Sequence, residues 1–473
     1  MAYRHGNRKQ ISLFPAAIED YVPMDAPVRA YDVMVSALDI VELGIEYDPG
    51  KVGNSTYDPM AMLKLLVYGY SYGIRSSRKL ERAVHYNVSF MWLTGGLKPD
   101  HKTISEFRRK NKSALKKVLR QCARLCIKLD LIEGNTLFVD GSKMRASASI
   151  NNSWTQERCQ NQLKKIDKRI EKILLECDSV DNAEHDSASL VNLNEQLQDQ
   201  DALKTRVHDI LAELEREGKK AVNTTDSDCV RINGRQGSHA GYNAQSVVDS
   251  KHGLIVQSDV VSANNDMGEF YNQITDANET LGENCQVACG DAGYANYDEM
   301  KKVEQAKIKV VVPSHKQAGH KKPKAFDKEK FRYDSQSDIY ICPAGAELTR
   351  RGVVHDGKIS YMTSRRTCRN CKYFGECTTS QNGRKVTRYA NEAFREKMAR
   401  QYEQADSQAV YRLRKSKVEL PFGHIKRNLG AGHFLLRGLA GVRAEMSLLS
   451  SCFNMARMIS IIGVPNLLAK LTS

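Results

Sequence analysis

Apolar residues recur at helical spacing through most of residues 26–130, with polar residues between them. The clearest helix start is the Asp-Pro step at Asp58, because Asp suits the N-cap of a helix and Pro its first position. The stretch from Thr103 to Glu106 has the form of a capping box and predicts another start. We therefore expect a helical N-terminal domain over residues 1–130. The pattern is equally compatible with a helix-turn-helix DNA-binding domain and with a plain helical bundle.

Further along the chain, alternating and β-branched runs predict the strands of a mixed α+β core. Two of these runs are joined by a short Gly-containing turn, which predicts an antiparallel hairpin. The later runs alternate with helical patterns, which is typical of a mixed sheet. We assign this core to residues 131–154, 223–314 and 391–473, where the last segment is helical. The five predicted strands are 136–142, 239–249, 254–263, 286–291 and 308–312.

Two segments interrupt the predicted core. Residues 155–222 carry two apolar stripes at helical spacing around a polar gap, which predicts an inserted helical hairpin. Residues 315–390 are basic and contain several cysteines, and their pattern of apolar residues indicates an irregular segment.

The charge of +15 is concentrated in two parts of the chain. Residues 1–135 carry 21 Lys and Arg against 14 Asp and Glu, a balance of +7, and residues 315–443 carry 28 against 12, a balance of +16. Residues 155–222 are acidic, with 11 against 15, a balance of −4. Localised positive charge fits a polyanionic partner such as nucleic acid. A merely basic, solvated surface is the alternative.

Two Asp residues lie at the ends of predicted strands, Asp140 in Phe-Val-Asp-Gly-Ser-Lys and Asp291 in Cys-Gly-Asp-Ala-Gly. A single such carboxylate is often only a turn-former. Two in one sheet can hold a hard divalent cation, since Mg²⁺ prefers carboxylate oxygens. Asp249 is a rival, but strand alternation places it at a strand end facing a turn.

A helical stretch from residue 411 to 427 carries a lone acid, Glu419, among Lys and Arg residues. Its simplest interpretation is an exposed helix with one balancing acid. The next acid along the chain, Glu445, lies away from this cationic cluster, and we expect it to be dispensable.

These settings together resemble the DDE transposases of bacterial insertion sequences. Glu419 and Lys426 reproduce the Glu-x6-Lys step of the family's third-acid signature. Tyr411 and Arg414 keep its Tyr-x2-Arg step, although Arg414 lies one residue further from Glu419 than the pattern has it. Residues 57–110 resemble the helical domain that opens such transposases, and residues 241–249 and 261–266 resemble the second and third core strands.

The resemblance implies an RNase-H-like sheet in which Asp140, Asp291 and Glu419 bind two Mg²⁺ or Mn²⁺ ions. It implies cleavage of a phosphodiester at the element end, followed by attack of the freed 3′-hydroxyl on target DNA. The implied partners are the element's terminal repeats and target DNA as double strands, bound by a homodimer. Lys426, Arg414 and Arg427 would contact DNA, and a solvated lysine is the alternative for Lys426.

Four cysteines have the spacing Cys-x25-Cys-x2-Cys-x5-Cys, at Cys342, Cys368, Cys371 and Cys377. Four thiolates at such spacing suit one tetrahedral structural Zn²⁺, which would order a segment with few core-forming residues. Unligated thiols are the alternative.

No apolar run of signal-peptide or membrane-spanning length is present, so we expect a cytoplasmic bacterial protein associated with the nucleoid, with no membrane partner. Two other functions remain open from the sequence. One is a catalytically inactive, transposase-derived, zinc-containing DNA-binding regulator. The other is a nuclease with the same core that performs no strand transfer.

Overall fold

The computed structural model describes residues 17–47, 56–181, 187–234, 237–319, 324–354 and 358–472. The parts of the predicted N-terminal domain at residues 1–16 and 48–55 lie outside the described residues. The chain divides into two compact units. Unit 1 consists of Met1–Asp266, Asn272–Cys285 and Lys415–Ser473, and unit 2 of Met267–Tyr271 and Gln286–Arg414.

The helices of the described residues, in chain order, are α1 Pro27–Ser36, α2 Ile40–Leu43, α3 Pro59–Ser71, α4 Ser77–Tyr86, α5 Val88–Leu93, α6 His101–Lys110, α7 Lys112–Lys128, α8 Gln156–Asp181, α9 Ser187–Glu217, α10 Phe270–Leu281, α11 Tyr297–Gln305, α12 His315–Ala318, α13 Arg365–Arg369, α14 Glu392–Tyr402, α15 Ala405–Arg427, α16 Leu439–Ile462 and α17 Val464–Thr472.

The strands are β1 Thr136–Arg145, β2 Ser153–Trp154, β3 Val222–Asn223, β4 Val230–Gly234, β5 Gly237–Asp249, β6 Ile255–Val261, β7 Val287–Cys289, β8 Lys309–Val311, β9 Arg332–Asp334, β10 Ile339–Ile341, β11 Glu347–Val354, β12 Lys358–Met362 and β13 Lys385–Arg388. All five predicted core strands are present as β1, β5, β6, β7 and β8. The sequence analysis missed β4, whose Val-Arg-Ile-Asn-Gly run alternates but is only five residues long.

The N-terminal part of unit 1 is helical, as predicted. α3 begins where expected, with the Asp58 carboxylate accepting from the backbone N–H groups of Met60 and Ala61 at 3.0 and 3.2 Å. The predicted capping box at Thr103 is wrong, because α6 begins two residues earlier. Its N-cap is Asp100, whose carboxylate accepts from the Thr103 backbone N–H at 2.6 Å.

In the sheet of unit 1, β1 pairs antiparallel with β5, and Asp140 lies opposite Ser246. β5 and β6 form the predicted antiparallel hairpin, and β4 pairs with the beginning of β5. α16, buried along most of its length, packs against β6, α3 and α7. The core of this unit therefore combines elements from the first and last thirds of the chain.

The predicted insertion at 155–222 is a hairpin of α8 and α9, here called the helical hairpin. Its helices pack through a small core that includes Ile166, Val207 and Ile210. At its base, β2 pairs with β3, so that Ser153 lies opposite Asn223. The hairpin thus has its own apolar core, and its two ends meet at one place in unit 1.

In unit 2, β7 and β8 are parallel neighbours. The expectation that residues 315–390 are irregular is wrong. They contain an antiparallel sheet in the order β13-β12-β11-β10-β9, here called the cysteine sheet. Its core residues are Phe331, Tyr340, Leu348, Tyr361 and Val386.

Within the described ranges, no single helix is long and apolar enough to span a membrane. α16 and α17 pass such a test only when taken together, and the two helices are bent by 104° at the break between them.

Candidate active site

Asp140 lies on β1 directly after the buried run Leu137–Phe138–Val139. The three apolar residues anchor the strand in the core of unit 1, and the Asp140 side chain is half-buried. Because side chains alternate along a strand, Asp140 and Ser142 point to the same face. That face meets the second half of α15.

Lys426 of α15 joins this face of β1. Its Nζ donates to Ser142 Oγ at 2.5 Å and to the Lys143 carbonyl oxygen at 3.2 Å. Burial lowers the pKa of Lys426 below its ordinary value, and the nearby negative charge of Asp140 opposes that shift. The structure therefore brings together Asp140 and Lys426, two of the residues predicted for the site.

Glu419 lies on the same helix, seven residues before Lys426, and its side chain is exposed. Seven residues make almost two helical turns, so Glu419 and Lys426 lie on nearly the same side of α15 about 10 Å apart along its axis. Arg427, the residue after Lys426, is exposed. Its predicted contact with DNA stays a prediction.

Asp291 lies in unit 2, two residues beyond the end of β7. Its carboxylate caps a short 3-10 turn, Ala292–Tyr294, by accepting from the Gly293 backbone N–H at 2.8 Å. Arg414, at the end of the part of α15 that belongs to this unit, approaches Asp291 Oδ2 at 3.3 Å. The Arg414 side chain is only 14% exposed. Its predicted contact with DNA stays a prediction.

Both predicted Asp ligands therefore have a cation of α15 nearby. In unit 1, Lys426 lies near Asp140, and in unit 2, Arg414 lies beside Asp291. Among the described residues, no group of three or more His, Cys, Asp or Glu side chains is arranged to hold a metal ion. The donor chemistry of the three acids suits Mg²⁺, because all offer carboxylate oxygens. These two cations offset part of the negative charge that would attract such an ion.

The rival carboxylate Asp249 is fully buried and structural. It accepts from the backbone N–H groups of Gly134 and Lys251 at 2.9 and 2.8 Å, which fixes the turn after β5. Burial raises its pKa above the ordinary value of Asp. This agrees with its expected place at a strand end facing a turn.

A polar cluster around Asp266 explains why a Gly follows Asp140. Asp266 Oδ1 accepts from Asn243 and Gln245 at 2.7 Å each and lies 3.3 Å from Lys143 Nζ. A Cβ on Gly141 would come within 2.4 Å of that oxygen. Only Gly fits here, so the Asp-Gly step allows the Asp266 cluster to pack against β1.

Glu445 is a poor choice for the neutral control that we expected it to be. Glu445 is fully buried in unit 1 and pairs with Arg75 at 2.8 Å. It also accepts from the backbone N–H groups of Leu435 and Leu436, at 2.9 Å each. Removing one partner of such a buried pair leaves an uncompensated charge, so Glu445 cannot serve as a neutral control.

The four predicted zinc ligands line one cavity of about 430 Å³ in unit 2. Burial is the chief cause that raises the pKa of the Cys377 thiol. The neighbouring Cys368, Cys342 and Cys371 also raise it electrostatically, so all four lie close together. Two of the sulfurs accept from backbone N–H groups, Cys342 from Ala346 and Cys368 from Arg384, both at 3.3 Å. The thiols thus surround one space, although they do not stand at metal-ligand distances.

Two family models match the chain. One, described as a transposase DDE domain, matches residues 341–459, and the other, described as a transposase domain (DUF772), matches residues 16–110. The two matches support a DDE transposase of an insertion sequence, as the resemblance in the sequence implied. A comparison of the chain with curated proteins found no match. Glu419 and Lys426 lie inside the matched DDE domain, whereas Asp140 and Asp291 lie between the two matched ranges.

The sequence analysis missed one residue of the site in the transposase. Ser142 accepts a hydrogen bond from Lys426 and so connects β1 to α15. The available signal was its position two residues after Asp140 on a predicted strand, which places both side chains on one face. Nothing in the sequence indicated that Lys426 would be its partner.

Proposed function

We propose that this transposase binds the terminal repeats of its insertion sequence as a homodimer, cleaves the element ends and joins them to target DNA. We place this activity in the bacterial cytoplasm, at the nucleoid. One observation carries the proposal: the helix with the Glu-x6-Lys step is docked, through Lys426 and Ser142, on the strand that bears Asp140.

The DDE family generally uses divalent metal ions, and we propose Asp140, Asp291 and Glu419 as the residues that hold two Mg²⁺ or Mn²⁺ ions. Bound at these carboxylates, the ions would supply activation of the attacking oxygen and stabilisation of the leaving oxygen. Cleavage would use water as the nucleophile, and strand transfer would use the freed 3′-hydroxyl.

The chain's own cations position the acids and the DNA in this proposal. Arg414, whose guanidinium is always charged, pairs with Asp291 just beyond the end of β7 and would orient its carboxylate. Lys426 is held by Ser142 near Asp140, where its ammonium group can donate to a non-bridging oxygen of the phosphate to be cut. Arg427, the exposed residue that follows Lys426, would bind the neighbouring part of the DNA backbone.

We also propose one structural Zn²⁺ at Cys342, Cys368, Cys371 and Cys377. Backbone N–H groups already donate to two of these sulfurs, and such contacts orient the ligands of a metal site. The loop around Cys368 is close-fitting, since a Cβ on Gly383 would lie 3.2 Å from its sulfur. Drawing the four sulfurs together would tie α13 and the turns beside it to the cysteine sheet.

The catalytic proposal is tested with purified Glu419→Gln, Asp140→Asn and Asp291→Asn and labelled terminal-repeat DNA. We expect each variant to bind the repeats within a few-fold of wild type, because the cations around the acids remain. Cleavage and strand transfer in Mg²⁺ should fall by orders of magnitude. Glu171→Gln, an equal change on the exposed surface of α8, is the matched control and should stay active.

Three results would count against this assignment. If Glu419→Gln cleaved normally, Glu419 would not be a metal ligand. If the wild type bound the repeats but never cleaved them in Mg²⁺ or Mn²⁺, the protein would be a DNA-binding regulator. If it cleaved without joining ends to target DNA, it would be a nuclease.

A further inference from the structure

α7 carries six cations and no acid in seventeen residues. They are Lys112, Lys116, Lys117, Arg120, Arg124 and Lys128. Solvated helices usually mix both signs, so that acids and bases pair along the helix. In the same chain, α6 pairs Glu106 with Arg109, and α8 pairs Lys172 with Glu176. The composition of α7 is therefore unlike that of its surface neighbours.

The cations share one side of the helix. At 100° per residue, the positions from Lys116 to Lys128 that carry charge fall within an arc of about 120°. The opposite side is apolar and is buried, largely against α16. An amphipathic helix that binds a membrane needs an accessible apolar face. α7 has none to offer, because its apolar face is part of the core of unit 1.

The charge on this side is only partly balanced. Arg120 pairs with Glu279 at 2.8 Å and Arg124 with Glu42 at 3.0 Å, and both pairs are at the surface. Lys116 and Lys117 are exposed and have no ion pair with another residue of the described chain. Such surface pairs are weak and are readily exchanged for a stronger anion.

The cationic side of α7 borders a groove of about 660 Å³ in unit 1. Polar groups of β6 and α10 form its other wall, namely Gln257, Ser258 and Asp276. Burial among neighbouring acids raises the pKa of Asp276 above its ordinary value. The groove therefore offers an anion several cations and neutral hydrogen-bonding groups. Its two carboxylates are Asp276, whose charge is disfavoured, and Glu42, which is paired with Arg124.

We propose that the cationic side of α7 is a binding site for the phosphodiester backbone of double-stranded DNA. The helix is about 25 Å long, and a step of four residues advances about 6 Å. Two nucleotides of one strand advance about 7 Å along a duplex. The row Lys116, Arg120, Arg124 can thus follow every second phosphate of one strand, whereas a single small anion would use only one or two of these cations.

This site rests on the proposed function, because it assigns part of the DNA contact of the same enzyme. It lies on the flank of the sheet that bears Asp140. In register, Asp140 is opposite Ser246 of β5, and Ser246 is opposite Ser258 of β6, which lines the groove. Two strand spacings make about 10 Å, which is less than the width of a DNA duplex. A duplex held at Asp140 can therefore also reach the groove.

The test is the double variant Lys116→Gln/Lys117→Gln, compared with Lys164→Gln/Lys165→Gln on α8, which removes the same charge from two adjacent exposed lysines. Affinity for terminal-repeat and unrelated duplexes is measured from roughly 50 to 200 mM salt. We expect about a tenfold loss for the α7 variant, equal for both duplexes, and a salt slope smaller by about 1–2. The α8 variant should match wild type.

An unchanged salt slope, or an equal loss in both double variants, would overturn the α7 site. The α7 site would also be wrong if the α7 variant lost binding to anionic phospholipid vesicles but kept its DNA binding. Cleavage by wild type, measured alongside, separates the two proposals. If wild type cleaves and the α7 variant keeps its salt slope, only the α7 site is wrong. If wild type neither binds nor cleaves, the proposed function fails and the α7 site with it.

Discussion

The helical hairpin and the cysteine sheet are both insertions, yet they are stabilised in different ways. The hairpin has two long helices whose aliphatic residues form a continuous stripe, so its core is complete in itself. The cysteine sheet has strands of three to eight residues and a core rich in aromatic rings, with Cys342 and Cys377 packed at its edge. The difference suggests that the sheet depends on a crosslink and the hairpin does not.

Loss of zinc is expected to have the largest effect and to act on the sheet alone. Cys371→Ser should reduce the zinc content of the purified protein from near one per chain to near zero. Residues 315–390 should then become sensitive to protease, because their short strands lose a crosslink. Elemental analysis and limited proteolysis measure both effects.

Cys177→Ser is the matched control, since Cys177 is half-buried on α8 and far in sequence from the proposed site. Cys452 is a poorer control because it is fully buried in unit 1. Equal zinc content in Cys371→Ser and Cys177→Ser would reject the zinc site.

A truncation in each insertion should separate their stabilities. Leu348→Ala in the sheet and Ile166→Ala in the hairpin each remove a fully buried aliphatic side chain, which typically costs about 2–5 kcal/mol. Hydrogen exchange should show faster opening only in the insertion that carries the change. Faster exchange throughout unit 1 in Ile166→Ala would show that the hairpin is part of the main core.

Deletion of the helical hairpin should have a smaller effect on the rest of the protein. Because β2 and β3 pair at its base, a short linker can join residue 155 to residue 221 without moving either end. We expect the deletion variant to fold and its melting temperature to change by only a few degrees. Global loss of helical circular dichroism beyond that of the removed residues would contradict this.

The smallest expected effect concerns Asp338 in the cysteine sheet. Hydrogen bonds from the hydroxyls of Tyr361 and Tyr333 hold the pKa of Asp338 below its ordinary value. The stabilisation is therefore present above about pH 4 and is lost as pH falls through the lowered pKa. Asp338→Asn should abolish this acid dependence in the sheet, because an amide does not titrate. Asn also tolerates the positive φ of 50° there. An unchanged acid unfolding curve would show that the charge has no role.

The same contrast explains what the sequence could predict. The hairpin was predictable because a helix of 26 residues, such as α8, repeats its apolar spacing many times. A three-residue strand such as β10 shows only one alternation, which cannot be distinguished from a loop. The cysteine sheet was therefore missed although its core residues are ordinary aromatic and aliphatic ones.

The site was predictable in parts. Asp140, Asp291 and Glu419 were singled out because an acid at a predicted strand end or among cations is unusual, and their role as ligands stays a prediction. The partners of these acids were not found, since the contacts of Ser142 with Lys426 and of Arg414 with Asp291 join residues more than 120 positions apart. The buried pairing of Glu445 was not foreseen for the same reason, because its partner Arg75 lies 370 positions earlier.

The Arg75–Glu445 pair also has a consequence for synthesis of the chain. The ribosome must add 370 residues after Arg75 before its partner exists, which takes about 20–70 s at about 5–20 residues per second. During that time α3 and α7 have been made, but α16, which covers them, has not. The newly made N-terminal helices must wait with apolar surface uncovered, so a nascent chain is most exposed to chaperones and proteases just before α16 emerges from the ribosome.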